Sequence, residues 1–153
     1  MELKYKKLVP EAQTPYRKYD VDAGFDLVAI SKEETNDYVE YKTGIAFEIP
    51  EGYVGLVFPR SSVTTYDLIL KNCVGVIDAS YRGEIRFRFY GTNDRISYNK
   101  GIITIIKYDG KLYDVGDRVG QIVFIKIPEI TLVETQELSD TDRGTGGFGH
   151  TGK

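Results

Sequence analysis

A few short stretches of the chain combine residue types able to bind phosphate or move a proton. Pro59-Arg60-Ser61-Ser62 follows an apolar run ending at Phe58 and sets a guanidinium beside two hydroxyls. At a strand end, with serine N–H groups open at a helix start, that combination binds phosphate. An N-cap beside a surface arginine is the plainer reading of the same residues. Val74-Gly75-Val76-Ile77-Asp78 ends an apolar run on a carboxylate, which fixed there can orient and deprotonate water or simply form a turn. Asp22-Ala23-Gly24-Phe25-Asp26-Leu27 offers two carboxylates around a glycine, suited to magnesium held through water or to another turn. Gly116-Asp117-Arg118-Val119-Gly120-Gln121 reads as a hairpin corner entering a strand. Gly147-Phe148-Gly149-His150-Thr151-Gly152-Lys153 matches the first part of a P-loop, but the Ser or Thr, the preceding strand and the following helix that the pattern needs are missing. Its closely spaced glycines can still turn backbone N–H groups toward an anion, and Arg143 adds a charge that does not titrate.

The elements that must position these residues are strands. In 153 residues, fifteen Ile and thirteen Val stand against nine Leu and five Ala, with 12 Tyr and 16 Gly. That is the composition of an all-β chain rich in turns. Strands are predicted over 4–9, 27–30, 38–41, 45–49, 54–58, 73–77, 84–90, 102–108, 121–127 and 130–134, many bounded by Gly, Pro, Asn or Asp. Asp109-Gly110 is a two-residue hairpin signal between 102–108 and 111–113. A short helix fits only within 62–70. Many short strands favour a jelly roll or distorted β-barrel, because closure or double sheets protect strand edges. The length suits one domain. Residues 1–138 read as the barrel and 139–153 as a polar, Gly-rich arm that cannot order itself without a ligand or a neighbouring subunit.

Charge and cysteine content narrow the function. A net charge of −3 argues against broad electrostatic capture of nucleic acid or an anionic membrane. No apolar run approaches a signal peptide or a membrane span. The single cysteine, Cys73, cannot form an intramolecular disulfide, and with one histidine, His150, it cannot build a zinc site. Cys73 is expected as a buried strand residue, His150 has no assigned role, and the chain reads as a soluble cytoplasmic domain.

Taken in order, Ala23-Gly24-Phe25-Asp26-Leu27, Pro59-Arg60-Ser61-Ser62, Gly75-Val76-Ile77-Asp78-Ala79-Ser80-Tyr81-Arg82-Gly83-Glu84, Gly116-Asp117-Arg118-Val119-Gly120-Gln121 and Arg143-Gly144-Thr145-Gly146-Gly147-Phe148-Gly149 resemble the five motifs of the trimeric deoxyuridine triphosphatases (dUTP diphosphatases, dUTPases). The third and fifth are the most specific, and the resemblance spans 23–152. It implies a homotrimer of jelly-roll subunits with active sites at their interfaces. The implied reaction is hydrolysis of dUTP to dUMP and pyrophosphate with Mg²⁺ on the triphosphate, which keeps uracil out of DNA and supplies dUMP for thymidylate synthesis. Carried over by motif, Asp78 is the base that orients the attacking water. Tyr81 packs on the deoxyribose and rejects UTP. Asn72 and the backbone of Gly75, Val76 and Ile77 read the uracil edge, in a slot too tight for a 5-methyl group. Arg60, Ser61, Ser62 and Gln121 hold phosphate oxygens, and Asp26 meets the metal through water. Arg143 binds the terminal phosphates, and Phe148, next to Gly149, stacks on uracil as the arm closes.

Two features depart from the family pattern. Ser62-Val63 stands where Gly-Leu is common, and 92–115 is longer than usual, which reads as an extended hairpin or as a surface for a protein partner. Two rival functions follow from the same residues. One is dCTP deamination, alone or with dUTP hydrolysis, using Glu84 as proton shuttle. The other is a regulatory protein that keeps the nucleotide pocket as a sensor and contacts its partner through 92–115.

Overall fold

The computed structural model describes residues 2–35, 37–66, 68–91, 95–99, 102–106 and 110–147, with 95–99 and 102–106 described by their backbone alone. Among them the strands are β1 (Lys4–Lys7), β2 (Gly24–Val28), β3 (Ser31–Glu34), β4 (Val39–Lys42), β5 (Ile45–Glu48), β6 (Tyr53–Phe58), β7 (Leu68–Leu70), β8 (Gly75–Ile77), β9 (Arg86–Gly91), β10 (Arg95–Asn99), β11 (Ile102–Ile106) and β12 (Arg118–Lys126), with a 3₁₀ helix at Ser61–Thr65. One four-stranded sheet has the order β2-β12-β6-β8 and the other β3-β4-β9-β7, while β1 pairs with β5 and β10 with β11. The fold is an all-β jelly roll.

Period-two alternation explains the packing. Along β9, Phe87 and Phe89 are fully buried while Arg86, Arg88 and Tyr90 point outward. They join Leu27, Tyr41, Ile45, Val57, Tyr113 and Ile122 in one core. β12 crosses that core closely. A methyl group at Gly120 would overlap the Phe87 ring, so only glycine fits, and the β2 register slips there between Arg118 and Gly120 as a bulge. Tyr41 donates its hydroxyl to the Tyr113 carbonyl at 3.1 Å, and burial pushes both phenols above their ordinary pKa. Among the described residues the one deeply buried carboxylate, Glu40, accepts from Arg88 Nε at 2.7 Å and Arg86 Nη1 at 3.4 Å, as a charge withdrawn from water requires.

Several local expectations differ from the structure. The segment within 62–70 is a 3₁₀ turn followed by β7, because its β-branched residues resist a longer helix. Residues 130–134 form no strand. Ile130, Leu132 and Val133 are 71%, 92% and 80% exposed, and among the described residues no strand pairs with them, so their β propensity has nothing to ladder against. Cys73 is exposed at φ 58°, in the turn before β8. β11 pairs back with β10 rather than forward with 111–113, which carries no strand. Asp109 lies outside the described residues, as do Phe148, Gly149 and His150.

Candidate active site

Three neighbouring strands bring one set of polar residues to a common end of the first sheet. Gln121 on β12 pairs with Asp26 on β2 on one side and with Phe58, the last residue of β6, on the other. Asp26 is then the hub. Its Oδ1 accepts from Arg60 Nε at 2.9 Å, and its Oδ2 from Arg118 Nη1 at 3.1 Å. Gln121 Nε2 donates to the Pro59 carbonyl at 3.2 Å, which ties the start of the loop to β12. Arg60 is in extended backbone (φ −85°, ψ 158°) and precedes the 3₁₀ turn without a side-chain cap, so Ser61 and Ser62 lie inside the turn rather than capping it. Ser62 Oγ approaches the buried Tyr113 hydroxyl at 3.5 Å. The result is two guanidiniums, two serines and an amide around one carboxylate, a set of donors able to receive several phosphate oxygens.

The second set belongs to the turn that leads from β7 in one sheet to β8 in the other, to β8 itself and to the turns after it. Asn72, Ile77 and Tyr81 line a cavity of about 430 Å³ together with Lys71, Glu84 and Arg86. At Gly75 the chain passes closely over its neighbours, since a Cβ there would come within 3.2 Å of Val57 Cβ and 3.4 Å of Asn72 Nδ2. Val76 is outward-facing on the three-residue strand and 63% exposed. Asp78 lines an adjoining cleft of about 790 Å³ with Ala79, Ser80 and Arg82. The Tyr81 N–H donates to the Asp78 carbonyl at 3.0 Å, so one turn holds both residues.

Within one chain Asp78 and Arg60 lie far apart. Val57 pairs with Gly75 and Gly55 with Ile77, so Asp78 lies level with Val54 near the start of β6, whereas Arg60 lies beyond its end. Six residues of extended backbone at about 3.3 Å each separate them by roughly 20 Å. Arg143 is elsewhere again, its Nε donating to the Gly146 carbonyl at 3.0 Å in an exposed turn. Sequence reasoning missed Arg118 as a site residue. Its acidic partner is 92 positions away, and no local pattern announces such a pair.

No group of three or more His, Cys, Asp and Glu side chains that could hold a metal occurs among the described residues. Asp26, with a guanidinium on each oxygen, retains lone pairs for a metal-bound water but is not free to ligate an ion directly. That donor set fits a hydrated divalent ion carried by a substrate's phosphates.

Fold and site together define an all-β jelly roll with a cationic loop past the end of β6 and a polar-lined slot around Asn72, Ile77 and Tyr81. The dUTPase family model matches residues 10–105 and 110–152. The deoxyuridine 5'-triphosphate nucleotidohydrolase of Nautilia profundicola is 34% identical over 158 residues, covering all of both chains. That of Paramecium bursaria Chlorella virus 1 is 36% identical over 149 residues, covering 96% of this chain and 95% of the relative. Among solved structures, the Staphylococcus bacteriophage 80alpha dUTPase with dUPNHPP superposes with a TM-score of 0.81 at 28% identity, covering 99% of each chain. The chain belongs to the dUTPase family.

Proposed function

We propose that this protein hydrolyses dUTP to dUMP and pyrophosphate in active sites completed between three copies of the chain. The separation of Asp78 from Arg60 carries the reading. A water attacking the α-phosphorus must be within hydrogen-bond reach of its base while the same phosphates rest on their cations, and roughly 20 Å along β6 forbids that within one subunit. The exposed apolar stretch 127–138, with Ile127, Ile130, Leu132, Val133 and Leu138, supports association with further copies.

In this reading the segment from Asn72 to Tyr81 of one subunit holds the nucleoside. Asn72 and the backbone of Gly75, Val76 and Ile77 take the uracil edge, Tyr81 packs on the deoxyribose, and Asp78 takes the proton of the attacking water. A neighbouring subunit supplies Arg60, Ser61, Ser62 and Gln121 to the phosphates. Asp26 holds Arg60 and Arg118 in place and touches the metal through water. Barrel residues 1–138 carry these groups. The arm, 139–153, closes with Arg143 on the terminal phosphates and Phe148 and Gly149 over the base. Magnesium, when bound with the triphosphate, supplies neutralisation of phosphate charge. Positioning and charge complementarity account for the catalysis, as phosphoryl transfer asks. The single thiol suits the cytoplasm. Among the described residues no helix is long and apolar enough to cross a membrane. Nothing in the charge pattern calls for nucleic acid.

Deamination is disfavoured by Glu84. Both of its oxygens already accept hydrogen bonds, from Gly44 N at 2.8 Å and Arg86 Nε at 2.8 Å, which suits an anchored anion rather than a proton shuttle. A second role through 92–115 has one observation in its favour: β10 and β11 form a two-stranded sheet apart from the two main sheets. A solved phage phi11 dUTPase, 29% identical with a TM-score of 0.72, covers 92% of this chain and all of its own, and is described as showing a species-specific insert. Crosslinking that places no partner on 92–115 would dispose of this second role.

Pyrophosphate release in the presence of Mg²⁺ from dUTP, dCTP, dTTP and UTP in parallel tests the main reading. Turnover of dUTP alone is expected. Ammonia from dCTP would move the chain to deamination, and tight dUTP binding without turnover would make it a sensor.

A further inference from the structure

Tyr81 is 45% exposed, yet its ring is held from several sides. Its hydroxyl end packs against Gly83. A Cβ at that position would overlap the ring's Cζ and hydroxyl oxygen and come within 2.8 Å of Cε2. Gly83 is not among the glycines with positive φ, so its backbone would accept alanine, and only the missing methyl group makes room for the ring. The Tyr81 hydroxyl donates to the Glu84 carbonyl at 3.2 Å. Glu84 is itself immobile: its side chain is 14% exposed, Oε1 accepts from Gly44 N and Oε2 from Arg86 Nε, both at 2.8 Å. The next residue is pinned as firmly, with Thr43 Oγ1 donating to the Ile85 carbonyl at 2.7 Å and Ile85 N to the Ile45 carbonyl at 2.8 Å. On the other side of the tyrosine, Arg82 Nη1 donates to the carbonyls of Ala79 at 2.5 Å and Tyr81 at 3.0 Å.

A wall that must reject one extra hydroxyl works only if it cannot yield. A phenol ring free to turn about χ1 and χ2 would swing toward water and admit the larger sugar, whereas a ring clamped against backbone keeps its position. We propose that Gly83 and Glu84 are positioning residues for sugar selection. Gly83 leaves room for the hydroxyl end of the Tyr81 ring, and Glu84, fastened to the turn at Gly44, holds the carbonyl that receives the Tyr81 hydroxyl. The inference rests on the reading of Tyr81 as the group packed against the deoxyribose, and goes beyond it by naming what fixes that group.

The test uses the full chain and measures kcat/KM for dUTP, UTP and dCTP in the wild type, Gly83→Ala, Glu84→Ala, Glu84→Gln and Tyr81→Phe. Gly83→Ala and Glu84→Ala are expected to lose on the order of tenfold or more of the preference for dUTP over UTP. The preference for dUTP over dCTP stays, because the base edge is read by Asn72 and the β8 backbone. Glu84→Gln keeps an oxygen for the Gly44 N–H and retains most of the sugar preference, an outcome that general loss of structure would not produce. A folded Gly83→Ala and Glu84→Ala with undiminished sugar preference would overturn the inference while leaving dUTP hydrolysis intact. Should Gly83→Ala fail to fold, Tyr81→Phe decides, since it keeps the ring and removes only the bond to Glu84; unchanged sugar preference there overturns the proposal. A wild type that does not cleave dUTP overturns the functional reading and this inference together.

Discussion

Asp26 shows how a single side chain gains meaning from its neighbours. In the sequence it is one of two carboxylates around a glycine, as easily a turn residue as a metal contact. In the structure it is 16% exposed and bridges Arg60 and Arg118, so it fixes the orientation of two guanidiniums. Asp78 stands differently, lining an open cleft beside the slot of Tyr81. Asp78→Asn is nearly isosteric and cannot accept the proton of water. It should bind dUTP with little change while turnover falls by about 10²–10⁴-fold, read by calorimetry beside pyrophosphate release. Unchanged turnover would remove Asp78 from the role of base.

At the scale of elements, alternation along a strand was legible and pairing was not. Residues 84–90 read as a strand, and in β9 Phe87 and Phe89 are buried together on one face. Residues 130–134 have the same apolar character but form no strand, since a strand exists only with a partner edge. Tyr41 and Tyr113 show a further tertiary effect. Their phenols are buried and neutral in the fold with raised pKa values, whereas in the unfolded chain they ionise near their ordinary value of about 10. The stabilisation they provide is complete below that pH and is lost as the pH rises above it. Thermal unfolding followed by circular dichroism should show a falling midpoint above about pH 10, with a shallower fall in Tyr41→Phe, which costs about 1 kcal/mol at neutral pH by losing its bond to the Tyr113 carbonyl. Equal slopes would contradict this account. Removing residues 142–153 should leave a folded assembly with activity reduced by roughly 10²-fold, through loss of Arg143 and the closing arm. Unfolding on truncation would make the arm structural instead.

For the whole molecule, the decisive length is the roughly 20 Å between Asp78 and Arg60 along β6. Sites shared between copies make a distinctive prediction. Asp78→Asn and Arg60→Ala assemblies should each be nearly inactive. Unfolded together and refolded as a mixture, they should recover measurable dUTP turnover, because some interfaces then combine an intact 72–81 segment from one subunit with an intact loop from another. Mixed refolding without any recovery would confine the site to a single chain. Sedimentation of the wild type at working concentration should find three copies.

Much of this was present in one dimension. Composition dictates an all-β chain, because β-branched and aromatic residues at period two bury one face of a pleated strand and turn residues interrupt them. The five motifs, in their order and spacing, point to the family, and the third supplies Asp78 to one cavity and Ile77, Tyr81 and Glu84 to the other. Tertiary structure alone decided which charges meet, such as Asp26 with Arg118 across 92 positions, and that the ring of Tyr81 rests on Gly83 and hangs from Glu84. It also decided that Asp78 and Arg60 lie roughly 20 Å apart along β6. Pairing register and close approach are properties of chain segments remote in sequence, and no local pattern encodes the distance between them.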